Sequence, residues 1–190
     1  MKDFTDKIWY TYKARIRTSE RLDYNNAHSQ YLLVWYALVT TALSIITIRF
    51  PQTLGPNTDI SSAIMSVALL VISLLVANLD YRGRAIEMRK NYLELQNLYN
   101  TILSQSSLQS PTAEMLKEYN HLLSDCENHL SLDDKYWRVM VPRHTALKLT
   151  RPPSTREIID ICIYMVIRVA LLFLLYALPL LGALILVLNK

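Results

Sequence analysis

Residues that could bind a metal ion or attack a substrate are few in this sequence and scattered along it. The densest group is His121, Cys126 and His129, of which the last two are spaced to share one face of a helix. The spacing matches no structural zinc pattern, so we expect these side chains to line a helix and hold no metal. Three glycines are too few for a phosphate-binding glycine-rich loop. We therefore predict no cofactor and no enzymatic activity.

Apolar residues make up 52% of the chain and are concentrated in three blocks. The blocks are residues 31–48, with 18 residues and no charge, and residues 60–79 and 169–188, with 20 each. At about 1.5 Å per residue, each can cross a hydrocarbon core of roughly 30 Å. We predict an all-α integral membrane protein with three transmembrane helices. Buried helices of a soluble protein are the alternative, which uncharged blocks of this length disfavour.

Basic residues predict how the spans are oriented. Six Lys or Arg precede the first span and eleven lie between Arg82 and Arg156, whereas the short loop 49–59 has only Arg49. By the positive-inside rule, the N-terminus and the middle segment are cytosolic and the C-terminus is outside. The net charge of +4 suits an anionic lipid bilayer, and we expect no direct nucleic-acid binding. Two cysteines make a disulfide framework improbable.

The polar segments have the periodicity of helices. Residues 1–50 contain neither Gly nor Pro, which predicts one helix from about 4 to 49, cytosolic over about 4–30 and spanning over about 31–49. Its apolar face is Phe4, Ile8, Tyr12 and Ile16, and its polar face is Lys7, Lys13, Arg15 and Arg17.

A second helix is predicted to run unbroken over 60–104, with a span at about 60–80 and a cytosolic part at 81–104. Its apolar residues recur at alternating steps of three and four, as in a coiled coil, and we predict that copies of the chain associate there as a homo-oligomer. Gly83 is the one flexible joint expected. The seam consists of Ala85, Met88, Tyr92, Leu95, Tyr99 and Ile102.

Helix-start signals divide the remainder of the chain. After the serine-rich stretch 104–110, Ser110 and Pro111 predict a helix over about 111–130. A short helix is expected to start at Ser131, capped by Ser131 and Asp134. Residues 136–154 are predicted to be a proline-containing linker, and Ser154 with Glu157 is a capping box that opens a C-terminal transmembrane helix within 155–190.

Polar residues within the spans are the candidates for a pore or a gate, because such groups are costly in hydrocarbon. Asn78 ends the second span; it either sets the register of packed helices or forms a polar ring at a pore mouth. Arg168 either reaches the inner headgroups, pairs with Asp160 or Asp80, or lines an aqueous path. Small hydroxyl residues could wet a pore or allow close helix packing, and packing is favoured. The candidates among them are Thr40, Ser44, Ser66 and Ser73.

The stretches "NNAHSQYLLVWYALVTTALSI" and "RAIEMRKNYLELQNLYNTIL" resemble the SLATT domain, a bacterial membrane module. The resemblance covers about residues 5–135 and is most specific at Arg84, Ala85, Asn91, Tyr92 and Leu95. It suggests a SLATT-like domain over 1–135 that has two spans, so the third span departs from the family pattern. It also suggests the subgroup found beside reverse transcriptases in defence loci.

The resemblance implies an effector of bacterial antiphage or conflict systems in the inner membrane. Such effectors are expected to form a pore or disrupt the membrane when a linked cytosolic sensor, nucleotide-signal enzyme or reverse transcriptase is triggered. The alternative is a non-conducting scaffold that recruits a cytosolic defence enzyme through residues 81–150. An intramembrane enzyme is the least favoured hypothesis, because no nucleophile or metal set is evident.

Overall fold

A computed structural model describes residues 2–51, 58–104, 110–141 and 150–188, with side chains described up to 181. Every regular element in these ranges is an α-helix. The helices are α1 (Lys2–Arg49), α2 (Thr58–Asn78), α3 (Tyr81–Ser104), α4 (Ala113–Ser124), α5 (Ser131–Met140) and α6 (Thr155–Leu188). Three of the described helical stretches are long and apolar enough to cross a membrane, which agrees with the predicted all-α membrane fold.

The chain divides into two compact units. We name Met1–Tyr24 with Tyr81–Tyr164 the polar unit, and Asn25–Asp80 with Met165–Lys190 the apolar unit. Helices α1 and α6 each contribute residues to both units, whereas α3, α4 and α5 belong to the polar unit and α2 to the apolar unit.

The polar unit has its own hydrophobic core, built from one face each of α1, α3 and α4. Phe4 and Ile16 pack against this core, and the Phe4 and Tyr119 rings meet edge to face with their centroids 5.6 Å apart. Burial of these faces is the main driving force for the unit to fold. The core residues are Ile8, Tyr12, Leu95, Leu98, Ile102, Met115, Tyr119 and Leu122.

Helix α1 runs without interruption from Lys2 to Arg49, as its sequence predicts. The absence of Gly and Pro removes the two residue types that most often end a helix. The predicted apolar face is also confirmed, since Ile8 and Tyr12 are buried and Phe4 and Ile16 pack beside them.

The prediction of one unbroken helix over 60–104 is wrong. Helix α2 ends at Asn78 and α3 begins at Tyr81, because Asp80 adopts a left-handed φ of 39°. The last turn of α2 tightens before this point, as the Asp80 N–H donates to the carbonyl of Ala77, three residues back, over 3.3 Å. Aspartate tolerates the left-handed region better than most residues do. The break therefore falls at Asp80, and Gly83 lies within α3.

The capping residues of two helices differ from the prediction, and those of a third agree with it. Thr112, and not Ser110, caps α4 and accepts a hydrogen bond from the Met115 N–H over 3.3 Å. At α5, the carboxylate of Asp133, and not Asp134, accepts a hydrogen bond from the Leu130 N–H over 3.3 Å. The capping box of Ser154 and Glu157 is confirmed: each backbone N–H donates to the other side chain, over 3.0 and 3.3 Å.

Two predicted boundaries also shift. Helix α4 ends at Ser124, so residues 125–130 are not part of it, and α5 extends to Met140 into the predicted linker 136–154. The side chain of Arg138 is 1% exposed, so that part of the predicted linker is packed structure. Residues 142–149 of the linker, 105–109 of the serine-rich stretch, and Gly55 and Pro56 lie outside the described residues.

The apolar unit is held together by hydrogen bonds as well as apolar packing. Trp35 donates its indole N–H to the carbonyl of Tyr176 over 3.1 Å, and Tyr36 donates its hydroxyl to the carbonyl of Leu175 over 2.9 Å. These bonds join α1 to α6. The Ser44 and Ser62 hydroxyls lie 3.4 Å apart and join α1 to α2. Small polar residues are a common means of close helix association in membranes.

Candidate functional site

The four candidate pore hydroxyls donate hydrogen bonds within their own helices. Thr40 donates to the carbonyl of Tyr36 over 2.8 Å and Ser44 to the carbonyl of Thr40 over 2.9 Å. Ser66 and Ser73 donate to the carbonyls of Ser62 and Leu70 over 3.0 and 2.7 Å. Their protons are therefore used, while each oxygen can still accept a hydrogen bond.

The other two candidates lie toward the ends of their spans. Asn78 is the last residue of α2 and is exposed. Arg168 is half-buried, and its guanidinium approaches the amide oxygen of Asn25 at 3.5 Å, which links α6 to α1 within the apolar unit. Asp160, one of the partners predicted for Arg168, is 3.5 Å from the ammonium of Lys135 instead.

The predicted oligomer seam lies inside the chain's own core. Four of its members, Ala85, Met88, Leu95 and Ile102, are at most 1% exposed in a single chain, and Tyr92 and Tyr99 are half-buried beside them. The coiled-coil spacing is real, but α1 and α4 of the same chain cover it. These four side chains are consequently not free to pair copies in this conformation. Association of the chain with itself remains a prediction that needs another surface.

The prediction that Arg15 lies on the polar face of α1 is wrong. Arg15 is fully buried, and it belongs to a second stripe with steps of four and three. The apolar seam of α3 has the same spacing. The spacing could therefore have identified Arg15 as an interior residue, if a stripe containing two polar residues, Arg15 and Ser19, had been considered. The stripe is Ile8, Tyr12, Arg15, Ser19 and Leu22.

Arg15 and Asn91 form a buried polar contact between α1 and α3. One nitrogen of the guanidinium donates to the amide oxygen of Asn91 and, over 2.9 Å, to the carbonyl of Leu122; the other donates to the carbonyl of Leu123 over 3.3 Å. Asn91 itself donates to the Leu122 carbonyl over 2.7 Å. Because these carbonyls lie in the last turn of α4, the cation sits at the negative end of a helix dipole.

Burial has a clear electrostatic effect around Arg15. Desolvation lowers the pKa of the Arg15 guanidinium, and no carboxylate among the described residues forms an ion pair with it. Burial, and next the charge of Arg15, lower the pKa of His129. Two atoms of this region, Arg15 Nε and His129 Nδ1, are buried without a hydrogen-bond partner among the described residues. The neutral Asn91 side chain and two main-chain carbonyls thus take the place of a counter-ion.

Asp133 and Arg138 connect the helices around α5. The buried carboxylate of Asp133 accepts two hydrogen bonds from Arg21, over 2.8 and 3.1 Å, and a third from Thr18 over 3.0 Å, which attaches α5 to α1. Arg138 donates to both carboxylate oxygens of Glu157 over 2.9 and 2.7 Å, which attaches α5 to α6. Arg138, and then the Ser154 N–H, lower the pKa of Glu157 to about 2. We call Arg138 and Glu157 the α5–α6 clamp.

The three residues considered as metal ligands, His121, Cys126 and His129, have different surroundings. His121 is exposed and lies 3.6 Å from Asp125, and the Cys126 thiol lies 3.9 Å from the sulfur of Met88. Within the described ranges, no group of three or more His, Cys, Asp or Glu side chains could hold a metal ion. Burial raises the pKa of the Cys126 thiol, which disfavours the thiolate that a metal would need.

Comparison with known proteins gives one match. The family described as SMODS and SLOG-associating 2TM effector domain, family 5, matches residues 1–186. No match was found among curated proteins or among solved structures. The family match extends beyond residues 5–135, on which the resemblance was based, and takes in α6. The family description names two spans, whereas three helices of this chain are long and apolar enough to cross a membrane.

Proposed function

We propose that this chain, which belongs to family 5 of the SMODS and SLOG-associating 2TM effector domains (SLATT), is a bacterial inner-membrane effector that oligomerises and permeabilises the membrane when activated. Its polar unit would be cytosolic and would receive the signal from a linked sensor, a nucleotide-signal enzyme or a reverse transcriptase. Its apolar unit would form the conducting path or disrupt the bilayer. The family supports the role of effector, and permeabilisation is our inference from the architecture.

The observation that carries the proposal is the continuity of α1. One unbroken helix holds Arg15, fixed in the polar unit, and Trp35, fixed to α6 in the apolar unit. A helix resists bending because each turn is closed by its own hydrogen bonds. A displacement of the N-terminal part of α1, in the polar unit, would therefore also displace its C-terminal part, in the apolar unit. Helix α6 offers a second such connection, since Glu157 is held by Arg138 and Trp35 binds the Tyr176 carbonyl.

A proline in α1 tests this coupling. Asp23 is exposed and lies at the end of the polar unit's share of α1. Proline inside a helix removes a hydrogen bond and costs about 3 kcal/mol, which breaks the helix locally. We expect overproduced wild-type protein to depolarise the bacterial membrane and admit an impermeant dye, and Asp23→Pro to weaken both effects while α6 still connects the two units. Asp23→Ala is the matched control and should retain them.

Immunoblots of the membrane fraction show whether both variants accumulate to equal levels. Depolarisation by Asp23→Pro equal to that by Asp23→Ala would contradict coupling through α1. Wild-type protein that protects cells from phage without any change in permeability would contradict permeabilisation itself.

A non-conducting scaffold is the second candidate, and the pore hydroxyls favour it. Thr40, Ser44, Ser66 and Ser73 each donate a hydrogen bond to a carbonyl of their own helix, which satisfies the hydroxyl proton without water from a pore. Replacing all four by Ala should leave a scaffold fully active and should alter the conductance of a pore they line. Single-channel recording of the purified full-length chain in planar bilayers distinguishes the two outcomes.

A further inference from the structure

The outward face of α3 combines positive charge with exposed apolar side chains. Five residues spaced four, three, one and three apart share this face, opposite the buried seam. All five are exposed, and Ile86 and Leu93 are 58% and 47% exposed. We call them the basic face of α3: Arg82, Ile86, Arg89, Lys90 and Leu93.

The three cations of this face have no counter-charge in the described part of the chain. No ion pair or hydrogen bond joins the side chain of Arg82, Arg89 or Lys90 to another described residue. The acidic residues of α3, Glu87 and Glu94, lie to one side of the face at 100° per residue. Positive charge is therefore concentrated on one surface that no described side chain neutralises.

The charge is also confined to one end of α3. All three cations fall within its first ten residues, and the face continues with the uncharged Asn97 and Asn100. That end is joined directly to a membrane-crossing helix: Arg82 follows Asn78, the last residue of α2, by four residues. Four residues of chain extend at most about 14 Å, so Arg82 lies near the end of α2. Arg89 and Lys90 follow within about two further turns of α3.

We propose that the basic face of α3 is a contact surface for anionic lipid headgroups. Cations beside exposed Ile and Leu side chains match the boundary between charged headgroups and acyl chains, whereas a free phosphate would leave the apolar side chains in water. The surface is separate from the pore candidates and from the α1 coupling. It gives the polar unit a way to respond to the lipid composition of the membrane.

The test uses the full chain, one copy per lipid nanodisc, with an environment-sensitive fluorophore on Ile86→Cys after Cys126 and Cys162 are changed to Ala. Nanodiscs contain either zwitterionic lipid alone or about one-third phosphatidylglycerol. We expect blue-shifted emission and quenching by brominated acyl chains in the anionic discs, and loss of both at high salt. The combined change Arg82→Gln, Arg89→Gln and Lys90→Gln should reduce the contact equilibrium about 100-fold, at roughly fivefold per cation.

The control removes the same charge from exposed sites elsewhere in the polar unit, Lys2→Gln, Lys117→Gln and Arg151→Gln, and should retain the blue shift. Circular dichroism shows that both triple variants keep their helix content. Equal emission in the two lipid mixtures, or an equal effect of the two triple variants, would overturn the proposal. A blue shift seen only in discs with two copies would assign the face to self-association and would also overturn it.

Discussion

Helix α1 and the α2–α3 segment both connect the apolar unit to the polar unit, but only α1 does so as an uninterrupted helix. Around residues 24–25, where the units meet along α1, every residue is helical. At the corresponding place between α2 and α3, Asp80 has a left-handed φ of 39°. The two connections therefore differ in stiffness. Under the proposed function, the signal would be carried along the continuous α1 and not along the interrupted α2–α3 segment.

The two connections also differ in what holds them. Helix α1 is fixed in the polar unit by a buried cation, by Ser19 bonded to the carbonyl of Ala85, and by the Asp133 network. Helix α3 is fixed by the same core, but the residues that join it to α2 are exposed. The contrast can be tested by changing the core, the polar contacts, the clamp and the joint in turn.

The largest expected effect comes from the core that α3 shares with α1. Leu95→Ala should lower the free energy of unfolding by about 3 kcal/mol, because Leu95 is fully buried. The exposed Leu116→Ala should change it by less than about 0.5 kcal/mol. Urea unfolding of the full chain in detergent, followed by tryptophan fluorescence, measures both. A loss that grows on dilution of the protein would instead place Leu95 between copies of the chain.

A smaller loss is expected from the buried polar contact. Asn91→Ala should cost about 2 kcal/mol, because it leaves the buried Arg15 guanidinium short of an acceptor. The combined change with Arg15→Met should cost at least about 1 kcal/mol less than the sum of the two single changes. The same unfolding assay gives the double-mutant cycle, with the exposed Asn97→Ala as control. Additive losses would show that Arg15 and Asn91 do not depend on each other.

Removal of the α5–α6 clamp should lower the free energy of unfolding by a comparable or smaller amount. This loss should depend on pH. The pKa of Glu157 is lowered in the folded state from 4.5 to about 2, so its contribution is complete above about pH 4.5 and is lost as the pH falls toward 2. Glu157→Gln should destabilise the chain by about 2 kcal/mol at pH 7 and remove this acid-dependent loss. Unfolding measured between pH 2 and 7 tests it, and an unchanged pH dependence in the variant would contradict the clamp.

Substitutions of Asp80, between α2 and α3, should have the smallest effect on the free energy of unfolding. Asp80→Val should destabilise the chain by about 1–2 kcal/mol, because a β-branched side chain resists the left-handed region. Asp80→Asn should destabilise the chain less than Asp80→Val, since asparagine tolerates that conformation. Thermal unfolding in detergent compares them, and equal stability of the two variants would argue against a left-handed Asp80.

The periodicity of apolar residues predicted most helices correctly. It failed where the conformation or burial of a single residue departs from the pattern. The apolar stripe of α3 continues in phase into α2, so nothing in the pattern marks the break at Asp80. The backbone conformation of one aspartate is not encoded in a hydrophobic repeat. Arg15 was missed for a related reason: a charge was assigned to the polar face, although its position in the stripe of α1 is an interior one. Asn91 was recognised through the family resemblance, but its partner could be identified only once α1 and α3 were placed together.

Helix α1 is continuous where the α2–α3 segment is broken, and amide hydrogen exchange distinguishes the two connections. Full-length protein in nanodiscs, with exchange measured residue by residue, allows residues 24–28 of α1 to be compared with Tyr81 and Arg82. We expect the amides of Tyr81 and Arg82 to exchange much faster than those of residues 24–28, because the first turn of a helix lacks the preceding carbonyls that protect its amides. Equally slow exchange at both places would mean that α2 and α3 form one continuous helix, with no break at Asp80.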